Sequence, residues 1–274
     1  MVYSMKKLST ARGDIPWKNL VNLTTFRLSC IPATVCPFSV TQLLDFFEST
    51  PLLSNIELRL IPGFPDPSPS RVVSVPHLKE LIISSYLTYC ILAKHLSIPT
   101  GASVVLNFPF SGESSPISDW LPENSSDLNN LSHVTTVNLL LDRDTNYARF
   151  KGLSGQLCLY SQLSEGGPSW NVGQCRMIRS YERFNLSNTQ RLAVTKHTPS
   201  SGEAVDGSPI FQTLLFMDDL RTLTLIRCEN LFFIHALNPE KNGSGAVACP
   251  NLEEIIICIE KLDRFHISEL KEMA

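Results

Sequence analysis

Ser154 is the first residue to weigh as a nucleophile. It lies in Lys151-Gly152-Leu153-Ser154-Gly155, which resembles a hydrolase elbow but lacks the second spacer residue of G-x-S-x-G, so the two glycines read as a turn between strands. Asp142-Arg143-Asp144 has carboxylates suited to a metal-bound nucleotide, yet its place after the Leu139 segment reads as a solvated loop. The histidines at 77, 95, 133, 197, 235 and 266 stand far apart. The cysteines at 30, 36, 90, 158, 175, 228, 249 and 258 form no C-x-x-C pair, and no Cys/His group has zinc spacing. The sequence contains no phosphate-binding loop, dinucleotide fingerprint, H-E-x-x-H or calcium loop. We therefore expect no catalytic residue, no metal, no cofactor and no small-molecule ligand. A hydrolase assembled from a scattered Ser or Cys is the remote alternative.

Composition narrows the field further. The chain has 274 residues, 43% of them hydrophobic and 18% charged, and a formal charge of −3 from 23 Lys plus Arg against 26 Asp plus Glu. That apolar content is too high for a disordered chain, and that charge is wrong for broad binding to nucleic acid or an anionic membrane. The densest apolar run, Ile255-Ile256-Ile257-Cys258-Ile259, is strand-sized rather than a membrane span. Residues 1–18 carry Lys6, Lys7, Arg12 and Asp14 with no apolar core, unlike a signal peptide. The expectation is a cytoplasmic or nuclear protein with reduced thiols used as small apolar side chains.

The elements that would position any site come from a repeat. L-x-x-L-x-L, with any large apolar residue at the L positions, occurs at Leu23/Phe26/Leu28, Leu53/Ile56/Leu58 and Leu78/Leu81/Ile83. It returns at Val134/Val137/Leu139, Leu220/Leu223/Leu225 and Leu252/Ile255/Ile257, with a weaker copy at Tyr181/Phe184/Leu186. Separations of 30 (23 to 53), 25 (53 to 78) and 32 (220 to 252) residues bracket the upper end of a leucine-rich-repeat period. The copy at Leu220 continues to Cys228, completing L-x-x-L-x-L-x-x-C. Val104-Val105-Leu106 is a further strand candidate in the gap between 78 and 134.

Helical patterns fall between these strands. Val40, Leu43, Leu44 and Phe47 share one face of a helix over Ser39–Thr50, with Ser39 and Gln42 as a capping box and Pro51 after its end. Ile91, Leu92, His95 and Leu96 predict a second helix, and Leu231 to Leu237 a third. Pro62 to Ser70 and Ser111 to Ser126 read as polar loops and the glycine-rich 150–175 as short irregular strands and turns, all of them insertions on one side of a solenoid or binding loops. The expected fold is α/β: a leucine-rich-repeat solenoid, with a curved parallel sheet inside and helices plus irregular loops outside. Residues 1–18 form an N-terminal extension and 19–274 the repeat domain. The domain is expected to be truncated at its C-terminal edge, because Phe265 to Ala274 begins an amphipathic helix with no strand after it.

With chemistry absent, the open face of the sheet is the candidate site. Alternation points the motif positions inward and their neighbours outward. The outward residues are Thr25, Arg27 and Ser29; Asn55, Glu57 and Arg59; Glu80, Ile82 and Ser84. They continue as Thr136, Asn138 and Leu140; Thr222, Thr224 and Ile226; Glu254, Ile256 and Cys258. This mixture of charged, small polar and apolar groups suits a protein partner better than nucleic acid, which would need a Lys/Arg stripe. The protein-binding candidates are Arg27, Asn55, Glu57, Arg59, Glu80, Ile82, Asn138, Thr222, Thr224 and Glu254.

Several segments resemble F-box proteins of mushroom-forming fungi. They are Trp17-Lys-Asn-Leu20-Val-Asn-Leu23-Thr-Thr-Phe26-Arg-Leu28, Thr41-Gln-Leu-Leu-Asp-Phe-Phe-Glu-Ser-Thr-Pro51, His95-Leu-Ser-Ile-Pro99, Leu220-Arg-Thr-Leu-Thr-Leu225 and Cys249-Pro-Asn-Leu-Glu-Glu254. The resemblance runs from about residue 16 to the end. It implies the substrate-binding part of an SCF ubiquitin-ligase receptor, acting on an unidentified protein. The F-box itself, about forty residues in that family, has no counterpart before Leu23, so the ligase adaptor would bind only through an F-box outside this chain. A free-standing repeat scaffold or inhibitor with no ubiquitin role is the alternative.

Overall fold

A computed structural model describes residues 3–5, 22–29, 39–59, 70–84, 92–110, 121–122, 127–141, 145–163, 184, 186–196, 214, 216–228, 237 and 248–258. Seven strands come first: β1 (Tyr3–Met5), β2 (Thr25–Ser29), β3 (Asn55–Arg59), β4 (Val73–Ser74), β5 (Glu80–Ser84), β6 (Leu96–Ser97) and β7 (Ser103–Phe110). Six follow: β8 (Thr136–Leu141), β9 (Thr145–Lys151), β10 (Gln156–Leu163), β11 (Arg191–Lys196), β12 (Thr222–Ile226) and β13 (Glu254–Cys258). The α-helix described from end to end is α1 (Val40–Ser49). Packing divides the chain into two units, Met1–Ser132 with Lys151–Gly167, and His133–Phe150 with Pro168–Ala274.

In the first unit the strand order is β1-β2-β3-β5-β7-β10, every pair parallel. Register follows the motif. Phe26 lies beside Ile56, Ile56 beside Leu81, Leu81 beside Val104 and Val104 beside Leu157. These core-side residues are all buried. Helix α1 forms where the apolar spacing and the capping box require it. The Gln42 N–H donates to Ser39 Oγ at 3.1 Å, and Gln42 Oε1 accepts from the Ser39 N–H at 3.0 Å. Its Phe46 and Phe47 reach Phe26, with ring centroids 4.7 and 6.2 Å away. At the far side of this sheet, Asn130 Nδ2 donates to Ala102 O (3.3 Å) and Gln156 O (3.1 Å), tying β7 to β10 at their entry. Gly155 makes this approach possible, because a Cβ there would stand 2.5 Å from Thr100 O and 2.7 Å from Asn130 Cβ.

In the second unit the order is β9-β8-β11-β12-β13. β8, β11, β12 and β13 are parallel, with Val137, Leu192, Leu223 and Ile255 in one register row. Only three residues connect β8 to its neighbour β9, too few for a crossover, so β9 runs antiparallel and the sheet is mixed.

The expected leucine-rich-repeat solenoid with outer helices is overturned by these findings. Among the described residues, regular structure is mostly mixed sheet with few helices. β10 lies beside β7 although β8 and β9 intervene in sequence, so the strands do not stack in chain order. The predicted second helix ends early. Leu92 to Lys94 are helical, but His95 closes the turn through its N–H to Leu92 O at 3.0 Å. Val73 N–H then donates to His95 O at 2.8 Å, and Leu96–Ser97 pair with Val73–Ser74 as β6 and β4. Backbone pairing to Val73–Ser74 thus takes over from the helical turn after Lys94. Of the predicted third helix only Leu237 lies among the described residues, and it is helical. Within 150–175, expected to hold short irregular strands and turns, lies the regular eight-residue strand β10. Phe184 and Leu186 are buried but belong to no strand; the strand follows them as β11. Pro62 to Pro69 and Ser111 to Trp120 lie outside the described residues.

Candidate functional site

The open face of the first unit is set by the register of its strands. Its first row is Thr25, Asn55, Glu80, Ser103 and Gln156; its second is Arg27, Glu57, Ile82, Val105 and Cys158. Its third begins Ser29, Arg59, Ser84 and Asn107. Six of the predicted site residues, Arg27, Asn55, Glu57, Arg59, Glu80 and Ile82, therefore share one surface. Ser103, Val105 and Asn107 join them from β7, and Gln156 from β10, none of which the repeat pattern marks as a site residue.

The electrostatic centre of this face is Glu57. Its Oε2 lies 3.0 Å from Arg27 Nε, and its Oε1 contacts Arg59 Nε. Arg27 stands one strand away in the same row, and Arg59 is two residues further along β3, so strand pairing and alternation together bring three charges to one corner. The arginine side chains are 57% and 56% exposed, that of Glu57 only 19%. One carboxylate is thus shared by two more exposed guanidiniums, which leaves one positive charge in excess. Toward β10 the same row turns apolar: Ile82 and Val105 are half-buried and Cys158 is buried. In the first row, Gln156 Nε2 donates to Ser103 Oγ at 2.9 Å.

The remaining four predicted residues lie on the second unit. Thr222 stands between Arg191 and Glu254, and Thr224 between Ala193 and Ile256, with Asn138 beyond Ala193. Asn138, Thr222 and Thr224 are half-buried and Glu254 is exposed. This face carries less charge than the first, and Ile256 at its margin is 38% exposed.

Ser154 is exposed, its hydroxyl donating to Thr100 O at 3.2 Å. His95 is buried with Nδ1 3.1 Å from Arg71 O, while His77 and His133 are exposed and far apart in sequence. Among the described residues no three His, Cys, Asp or Glu side chains gather as metal ligands. Cys158, Cys228, Cys249 and Cys258 carry thiols, none of them in a disulfide. Cys228 Sγ lies 3.5 Å from Ile226 O and 3.6 Å from Val194 O, at the turn leaving β12. The Cys249 thiol is pushed up to about 12 by burial and then by the charge of Asp218, and it donates to Leu214 O at 3.4 Å. Asp142 to Asp144 and the histidines at 197, 235 and 266 fall outside the described residues. No helix among the described residues is long and apolar enough to cross a membrane.

No protein-family model, curated protein or solved structure matches the chain.

Proposed function

We propose that the chain is a non-catalytic protein-recognition domain, and that it serves as the substrate-binding part of an F-box-type SCF ubiquitin-ligase receptor. The observation that carries the recognition reading is the Arg27–Glu57–Arg59 corner beside Ile82 and Val105. It offers exposed charge next to half-buried apolar surface on a sheet held by parallel hydrogen bonding. Interfaces are built from this combination, with apolar contact at the centre and arginine among the enriched residues. The ligase connection rests on the sequence resemblance to fungal F-box proteins.

Affinity purification of the full chain from fungal extract tests both parts, run in parallel on the natural sequence and on an Ile82→Asp/Glu80→Arg variant. Enrichment of a substrate protein that the variant loses is the expected result, and co-purification of the ligase adaptor and cullin with it would mean that the chain reaches the ligase without an F-box of its own. Enrichment of another protein without them, lost in the variant, would leave a recognition domain with no ubiquitin role. Identical captures by both forms would overturn the assignment of this face.

A further inference from the structure

We infer that the first unit's open face binds an extended protein segment carrying a carboxylate side chain three residues from an apolar one, the carboxylate seated between Arg27 and Arg59 and the apolar group on Ile82 and Val105. This inference rests on the proposed recognition role and specifies the chemistry of what is recognised.

The charge distribution selects the acidic end. Glu57 neutralises only one of the two guanidiniums it touches, and both arginines are more exposed than it is. Among the described residues of this face, the nearest further carboxylate is that of Glu80, one row away. From strand and residue spacing, its backbone stands roughly 12 Å from that of Arg27 and roughly 14 Å from that of Arg59. The ion pairs described for both arginines are to Glu57 and neither is to Glu80, so Glu80 does not directly offset the second positive charge. A carboxylate from a partner would complete the corner as a four-charge cluster, with charge-assisted hydrogen bonds to planar guanidinium groups.

The apolar end is set by register. Ile82 lies two strands from Arg27 in the same row, and Val105 three strands away, about 10 and 14 Å. A polyproline-II-like segment crossing the strands places residues i and i+3 on one side about 9 Å apart, which matches the step from the arginine corner to Ile82. Glu57, between them, is the group such a segment must displace or share.

The test is fluorescence anisotropy with the full chain and a labelled peptide containing Glu-Ser-Ser-Leu in an extended, proline-flanked context. Matched peptides replace its Glu by Gln, its Glu by Lys, or its Leu by Ser. The expected result is binding of the Glu/Leu peptide that weakens with salt, and weaker binding of all three matched peptides. Arg27→Ala and Arg59→Ala should each lower affinity about fivefold. Glu57→Gln removes the competing carboxylate and should raise affinity by a similar factor; a merely structural ion pair would not produce that gain. Arg71→Ala removes an arginine bound instead to Asp45 and Glu48 and should leave affinity unchanged. Absence of binding, equal binding of the Gln or Lys peptide, or no gain from Glu57→Gln would overturn the inference. Those outcomes are distinguishable from failure of the recognition role, which is read by the extract experiment on the Ile82→Asp/Glu80→Arg variant.

Discussion

Strands β3 and β13 have the same alternation and different surroundings. Ile56 and Leu58 point to the core side of β3 and are 1% and 0% exposed; Ile255, at the equivalent position of β13, is 36% exposed. β3 is paired on both edges, by β2 and β5, whereas among the described residues β13 is paired along one, by β12. Near β2, α1 contributes Phe46 and Phe47, packed on Phe26 and on each other at 5.7 Å. An L-x-x-L-x-L strand decides which side a residue faces. The elements on either side decide whether that residue is buried.

The largest effect should come from breaking the well-covered region. Phe46 is 0% exposed, and Phe46→Ala should cost about 3–5 kcal/mol by lost transfer energy and a cavity among fixed neighbours. Ile255→Ala should cost less than about 1 kcal/mol, because little burial is lost. Urea unfolding of the two variants measures the gap; equal costs would mean that β13 is covered as thoroughly as β2 is beneath α1. Gly155→Ala should follow at about 2–3 kcal/mol. Its Cβ would meet Thr100 O and Ala102 O, 2.5 and 2.8 Å away, and main-chain atoms cannot swing aside. Ser39→Ala, which removes only the cap of α1, should cost about 1 kcal/mol in the same assay.

Cysteine chemistry sharpens the contrast within the second unit. Cys249 is buried, while Cys258 at the end of β13 is exposed. The folded state holds the Cys249 thiol protonated up to about 12, from an ordinary value of 9.0. Between those values the unfolded chain loses its proton and the folded chain keeps it. This contribution to stability is therefore complete below pH 9 and declines as pH rises from 9 toward 12. Cys249→Ala should flatten that alkaline decline in urea midpoints recorded against pH. Iodoacetamide at about pH 8 should modify Cys258 well before Cys249, read by peptide mass mapping.

How much of this was legible in the sequence depends on what occupies the first motif position. Six copies beginning with Leu or Val each lie on a strand, and the Arg27–Glu57 pairing follows from their 30-residue separation, which equals the step from Leu23 to Leu53. The strands that the motif does not reveal begin differently. β11 is led by Thr189, fully buried, whose hydroxyl reaches Val134 O at 3.4 Å, and β10 by Ser154, which bonds Thr100 O. A hydroxyl bonded to a backbone carbonyl of another segment can fill a position that the pattern reserves for Leu, and no apolar periodicity reveals it. With β10 hidden in this way, the apolar continuation of the face from Ile82 through Val105 to Cys158 is hidden too. The second helix is read from the apolar spacing of Ile91, Leu92, His95 and Leu96, which does not register the pairing of Leu96–Ser97 with Val73–Ser74.

The smallest stability effect is expected at the residues proposed to matter most for binding. Arg27→Ala removes an ion pair whose arginine is 57% exposed, and exposed pairs contribute roughly 0–1 kcal/mol because water and salt already solvate both partners. Arg59→Ala should behave alike, and so should Arg221→Ala, which breaks an exposed pair with Glu253 in the second unit. All three urea midpoints should therefore lie close to that of the natural sequence. Only the first two substitutions should weaken the Glu/Leu peptide, since Arg221 belongs to the turn before β12 and to the other unit. A loss of about 2 kcal/mol or more at Arg27, beyond what an exposed pair contributes, would assign the corner to holding β2 against β3. Unchanged stability with lost binding would assign it to recognition, separating the charged surface of this sheet from the apolar core that keeps it folded.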